Sequence, residues 1–138
     1  GMGSRLTHMF VRAGMYRLRA SSLGDGGGGK FQLELTEQKL KPLNIGGRGK
    51  GTPEFDATDF WTFTGKGGQT VFLSVRSTAC DPRASIYSPD GVRLISDDNG
   101  GVGTDSLLAV KLPKTGKYTV WVGGSGAGDY SVRLIDAE

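Results

Sequence analysis

A single histidine, His8, and a single cysteine, Cys80, stand among 138 residues, and neither has the neighbours that catalysis needs. Nucleophilic chemistry requires a base within hydrogen-bond reach of the attacking atom and a third group to orient that base. A Ser-His-Asp or Cys-His site would need His8 to reach across to residues 51–138, and a strand histidine is the simpler reading. Cys80 has no second cysteine for an internal disulfide, so the fold must rest on its core. No His-x-x-x-His and no cysteine pair offers zinc-ligand spacing. The run Gly24-Asp25-Gly26-Gly27-Gly28-Gly29 lacks the Gly-Lys-Ser/Thr ending of a phosphate loop and reads as a flexible hairpin connection. The expectation is a protein that is not an enzyme and has no catalytic residues and no required cofactor.

Oxygen donors are better placed. Calcium takes six to eight oxygens from carboxylates, amides and backbone carbonyls in loops. Asp97, Asp98, Asn99 and Asp105 flank one loop, and Glu54, Asp56 and Asp59 cluster ahead of a strand. These seven are the candidate calcium ligands. Asp or Asn followed by Gly is also what a tight turn selects, and Asp97-x-Asn99 lacks the full EF-hand pattern. The second candidate surface is aromatic. Phe60, Phe72, Tyr87 and Trp121 fall on outward positions of their strands, and aromatic side chains anchor both protein and sugar contacts. Cover by the N-terminal segment or by another chain is the plainer account of them.

The elements that position these residues are strands. Gly accounts for 24 of the 138 residues, well above the usual ~7%, and most glycines punctuate runs of Val, Tyr, Phe, Trp, Leu and Thr. No apolar pattern with a 3.6-residue period lasts three turns, so helix is expected to be almost absent. Strands are expected at 60–64, 70–76, 83–87, 92–96, 106–112, 117–122 and 130–135, with turns such as Ser88-Pro89-Asp90-Gly91 between them. Seven short strands without crossover helices imply an all-β, antiparallel sandwich. Period two sends Val71, Leu73 and Val75, then Leu108, Val110 and Leu112, to the core. It sends Tyr118, Val120 and Val122, then Tyr130, Val132 and Leu134, there as well, together with Trp61 and Phe63.

A weak internal repeat divides the chain. Gly14 and Tyr16 match Gly116 and Tyr118, and in each place a Gly-rich loop leads into a second alternating run, 31–35 and 130–134. Residues 1–37 are therefore read as the last strands of a partial preceding copy, 38–50 as a linker carrying Pro42, Gly46, Gly47 and Gly49, and 51–138 as one complete β-sandwich domain. Two or three strands cannot bury their apolar faces alone, so the arm is expected to dock, and exchange between chains would give a homodimer through residues 1–37.

Charge is unevenly spread. Residues 1–50 carry nine Lys/Arg against three Asp/Glu, and residues 51–138 carry eight against eleven. The basic residues are scattered singly in sequence, so no nucleic-acid partner is expected. No apolar run reaches the 18 residues of a membrane-spanning helix, so no membrane insertion is expected. A charged-then-apolar leader is not seen, so secretion would make the chain part of a longer protein or one that has lost its leader.

Several ordered motifs carry a resemblance. They run from Asp59-Phe60-Trp61-Thr62-Phe63-Thr64 and Gly68-Gln69-Thr70-Val71, through Asp81-Pro82, Ser88-Pro89-Asp90-Gly91 and Asp97-Asp98-Asn99-Gly100-Gly101, to Asp105-Ser106, Gly116-Lys117-Tyr118-Thr119-Val120 and Gly128-Asp129-Tyr130. In this order, across 51–136, the sequence resembles the bacterial pre-peptidase C-terminal domain. The resemblance implies a jelly-roll-like sandwich attached to secreted peptidases and other exported proteins, related to the collagen-binding domains of clostridial collagenases. It implies an extracellular or cell-surface location and flanking domains in a longer protein. It also implies a non-catalytic accessory role, tethering or targeting a partner domain to an extracellular protein or polysaccharide. The alternative is a structural tandem-repeat module that mediates self-association or domain-swapped oligomerisation. Some relatives bind calcium through several acids ahead of the first strand, where this chain has only Glu54, Asp56 and Asp59.

Overall fold

Alternation of apolar and polar residues becomes a strand only where a neighbouring strand completes its hydrogen bonds, and the chain divides on that condition. The computed structural model describes residues 4–21, 28–51, 58–97, 105–125 and 128–137. Its chain forms two units, Gly1–Gln38 and Lys39–Glu138. The second unit holds nine strands and, among the described residues, no helix: β1 (Lys41–Pro42), β2 (Arg48–Gly51), β3 (Asp59–Gly65), β4 (Thr70–Arg76), β5 (Asp81–Tyr87), β6 (Arg93–Asp97), β7 (Ser106–Lys111), β8 (Gly116–Ser125) and β9 (Tyr130–Asp136). They build a five-stranded sheet in the order β1-β3-β8-β5-β6 and a four-stranded sheet in the order β2-β9-β4-β7. All neighbours pair antiparallel except β1 with β3. The all-β sandwich expected from the sequence is the observed fold, and the seven expected strands are β3 to β9.

The inward faces follow the period of two. Val71, Leu73, Val75, Tyr118, Val120, Val122, Tyr130, Val132 and Leu134 are buried, as are Trp61, Phe63, Leu108 and Leu112, while Val110 is half-buried at the margin. Each large apolar side chain taken out of water contributes about 1.5–3 kcal/mol before chain entropy is set against it. The rings of Phe63 and Tyr118 stack with centroids 5.3 Å apart. The Tyr118 hydroxyl donates to the Lys114 carbonyl, which fastens the turn ahead of β8. The turn at Ser88 closes through Gly91 N–H donating to the Ser88 carbonyl at 2.9 Å, with the Ser88 hydroxyl accepting from Val92 N–H at 3.2 Å.

The expected linker at 38–50 is instead part of the sandwich. Its residues form β1 on the edge of one sheet and β2 on the edge of the other. Leu43 between them is only 1% exposed, and its N–H donates to the Thr62 carbonyl at 2.8 Å. Gly46 N–H donates to the Leu134 carbonyl at 2.7 Å, so the segment crosses from sheet to sheet along one side of the core. The two glycines of β2 are demanded by close packing. A Cβ on Gly49 would lie 2.5 Å from the Trp61 ring, and one on Gly51 would lie 2.3 Å from the Tyr130 hydroxyl.

The first unit also differs from expectation. Among its described residues, 4–21 and 28–38, none is in a strand. Period two there has no partner ladder to join, and isolated strand pairs are marginal in water. Short local contacts stand in their place. The His8 and Phe10 rings meet edge to face at 4.9 Å, Phe10 and Tyr16 lie at 4.0 Å, and the Tyr16 hydroxyl donates to the Arg12 carbonyl. Phe31 and Leu35 are 70% and 88% exposed. The strands expected from a partial preceding copy are therefore not formed in these residues.

A chain of hydrogen bonds spans the two sheets. Trp61 Nε1 of β3 donates to the Tyr130 hydroxyl of β9 at 2.9 Å, and that hydroxyl donates to Asp59 Oδ2 at 2.6 Å. Lys41 Nζ lies 3.4 Å from the same carboxylate oxygen and 5.2 Å from the Trp61 ring centroid. Burial first, then the hydrogen bond to Asp59, hold the Tyr130 phenol far above its ordinary value of about 10.

Two outcomes test this account. Leu43→Ala is expected to cost about 2–5 kcal/mol in urea unfolding, as a core leucine does, whereas a linker residue would cost almost nothing. The second concerns alkaline pH. Above pH ~10 the Tyr130 phenol ionises in the unfolded chain but stays protonated in the folded one, so the native state holds more protons and stability falls as pH rises. Tyr130→Phe is expected to remove this residue's part of the alkaline decline. At neutral pH it is expected to cost about 1–3 kcal/mol, because Trp61 Nε1 and Asp59 lose a buried partner. An unchanged slope above pH 10 in the variant would contradict the assignment.

Candidate functional site

The outward positions of β3, β8 and β5 bring three aromatic residues together on one sheet face. Phe60 of β3 and Trp121 of β8 are direct cross-strand partners, and Trp121 faces Ser85 of β5 on its other side. Tyr87 lies two residues beyond Ser85 and opposite Thr119. Outward strand positions alternate with the buried ones by geometry alone, which is why the sequence already assigned these rings to the surface. All three are half-buried, and between them Ser85 and Thr119 are buried although they point outward. Trp121 lies close over Gly123, since a Cβ there would come within 3.2 Å of its ring. The indole is thus held against the sheet, and its rotamer freedom is already spent before any ligand arrives.

Phe72 does not belong to this group. It lies on β4, on the outward face of the other sheet, between Ile135 and Ala109. Period two reports which side of its own strand a residue takes, but which sheet that strand joins is a matter of topology. The four expected aromatics therefore divide three to one.

Five described aspartates gather at one end of the sandwich, where β3, β5 and β9 begin, β6 ends and β7 begins: Asp59, Asp81, Asp97, Asp105 and Asp129. Asp59 is engaged by Tyr130 and Lys41. Asp97 Oδ2 accepts from Leu107 N–H at 3.0 Å, and Asp105 Oδ1 accepts from Ser77 N–H at 3.2 Å. The Ser106 hydroxyl donates to the Pro82 carbonyl at 2.7 Å and lies 3.1 Å from that of Asp97, joining the two sheets at this end. One Asp81 carboxylate oxygen is buried without a hydrogen-bond partner among the described residues. Among the described residues, no three of His, Cys, Asp or Glu group closely enough to hold a metal ion. Glu54, Asp56, Asp98 and Asn99 lie outside the described residues. Local sequence carries no sign that Tyr130 and Lys41 engage Asp59, because those partners come from β9 and β1.

Among the described residues, no pair of groups is arranged as nucleophile and base. His8 lies in the first unit beside Phe10. Cys80 is a half-buried free thiol 3.2 Å from the Ser77 hydroxyl. No helix among the described residues is long and apolar enough to cross a membrane.

The roles of Asp97 and Asp105 are separable from metal binding by experiment. Asp97→Ala is expected to lower stability by about 1 kcal/mol, and by the same amount in chelator and in millimolar calcium. A loss confined to calcium-containing buffer, read as a melting-temperature difference, would make Asp97 a ligand.

Comparison with known proteins places the fold. No protein-family model matches the chain, and no curated protein matches its sequence. Among solved structures, it is similar to the pre-peptidase C-terminal domain of a collagenase from Bacillus anthracis, with a TM-score of 0.60 at 17% identity over 73% of this chain and 99% of that one. It is also similar to PliG of Aeromonas hydrophila, a periplasmic inhibitor of g-type lysozyme, with a TM-score of 0.53 at 16% identity over 71% of this chain and 99% of the other. A third is CorA, a surface-associated copper-binding protein of Methylomicrobium album, with a TM-score of 0.54 at 10% identity over 71% and 98% of the two chains. At such identities the likeness is one of fold, and the fold is that of the pre-peptidase C-terminal domain.

Proposed function

We propose that this chain is a non-catalytic accessory module of an extracellular bacterial protein, which tethers or targets a partner domain to a protein or polysaccharide. The observation that carries the reading is the aromatic face of Phe60, Trp121 and Tyr87 across three adjacent strands. A flat array of rings gives large contact area at low entropic cost, and stacks on sugar rings or receives apolar side chains of a protein strand. The lack of any activatable nucleophile among the described residues agrees with a binding role. The neighbours of known fold are a domain of a collagenase, an inhibitor and a metal-binding surface protein. They support the reading only as examples of what this sandwich is used for.

The test is co-sedimentation with insoluble collagen and with insoluble polysaccharides such as cellulose and chitin. Retention on one of them is expected, with Trp121→Ala weakening it at least tenfold while the melting temperature changes little. Loss of a central, partly buried interface tryptophan commonly has an effect of that size. No peptide, ester or glycoside turnover is expected. Absence of retention on every matrix, together with a size-exclusion mass of two copies, would replace this reading with self-association.

A further inference from the structure

The opposite face of the sandwich has a different chemistry. The outward positions of the four-stranded sheet carry Arg48 and Lys50 on β2, Arg133 on β9, Arg76 on β4 and Lys111 on β7. No Asp or Glu occupies an outward position of these four strands. All five cations are exposed, and none makes an ion pair among the described residues. In sequence they are scattered over 48–133, and only strand order collects them.

Four of them are regularly arranged, and Lys111 lies apart, opposite Thr70 at the far end of β4 from Arg76. Arg48 and Arg133 are direct cross-strand partners, and Lys50 and Arg76 flank Ser131 on either side. Strand spacing and rise put the backbones of Arg48 and Arg133 about 5 Å apart, Arg48 and Lys50 about 7 Å apart, and Lys50 and Arg76 about 10 Å apart. Like charges directly opposite in a sheet are destabilising. Protection of sheet edges by basic residues would account for β2 and β7. It does not account for Arg133 and Arg76, which lie on the two central strands. An uncompensated Arg–Arg pair that reaches from the edge strand β2 onto the central strand β9 is what a multivalent anion would relieve.

We propose that this face binds an acidic polysaccharide, a chain bearing carboxylate or sulfate groups. Guanidinium groups bind both anions bidentately, and the flat array suits a polymer that presents charge at intervals along its length. A single-stranded nucleic acid would call for rings on which successive bases stack, and Phe72 alone stands among the cations. Duplex recognition would call for an element that enters a groove, and this surface is the outward face of a four-stranded sheet. The site is separate from the aromatic face and does not depend on it.

The experiment uses the whole chain at 0.15 M salt, with heparin and polygalacturonate as probes and dextran as the neutral control, read by calorimetry. Binding to at least one acidic probe and none to dextran is expected, weakening steeply with added salt because exposed charges are screened beyond about 8 Å. Arg48→Glu with Arg133→Glu is expected to weaken binding at least tenfold. Arg93→Glu with Lys117→Glu changes net charge equally but lies on the five-stranded sheet, and is expected to stay within twofold. Arg48→Gln with Arg133→Gln guards against misfolding: it should lose affinity several-fold while its melting temperature holds or rises. Equal losses in the two Glu pairs, no binding by the unaltered chain, or tighter binding to oligonucleotides or to phosphatidylglycerol vesicles would each overturn the assignment.

Discussion

The hydrogen-bond chain from Trp61 through Tyr130 to Asp59 is the constraint on which the rest of the sandwich depends. Apolar contacts between two sheets are non-directional and would tolerate many offsets. A buried indole N–H and a buried phenol tolerate one, because each must find its partner or incur the cost of an unmade bond. Trp61 belongs to the five-stranded sheet and Tyr130 to the four-stranded one, so satisfying both sets how the layers sit. Lys41 closes the arrangement from outside, beside the Asp59 carboxylate and the Trp61 ring.

That constraint reaches the surface through β2. Tyr130 and Trp61 occupy the space that side chains at 51 and 49 would need, so the inward positions of β2 are glycines. Every side chain of this strand therefore points outward, and both are basic. The demand for close packing inside and the concentration of cations outside belong to the same four residues, Arg48-Gly49-Lys50-Gly51.

The polar groups near the core are largely occupied with structure. Asp59, Asp97 and Asp105 hold a phenol or backbone N–H groups, and the Ser106 hydroxyl joins the two sheets. Chemistry needs groups with unspent capacity, and recognition needs surface. What this fold offers is two outward sheet faces of unlike character, one with three rings against a flat sheet and one with five cations and no acid. The two faces share no side chain, so the two ligands proposed above do not compete for the same groups.

Much of this was legible in the residues alone. Val71, Leu73 and Val75, or Tyr118, Val120 and Val122, alternate with polar residues, and alternation has one physical solution at these lengths: a strand with one face in the core. The positions of β3 to β9, the inward residues and the outward setting of Phe60, Tyr87 and Trp121 all follow from it. The linker expected at 38–50 did not, because Pro and Gly suggest a loose connection when nothing shows what packs against them. Only the tertiary structure places Trp61 and Tyr130 over Gly49 and Gly51 and buries Leu43. The arm misled in the opposite sense, since the alternation at 31–35 has no ladder to join in the described residues. Strand order was likewise beyond local reading. Hydrogen bonds between residues dozens of positions apart decide which sheet receives each strand, and so decided that Phe72 stands apart from Trp121 and that Arg48 meets Arg133.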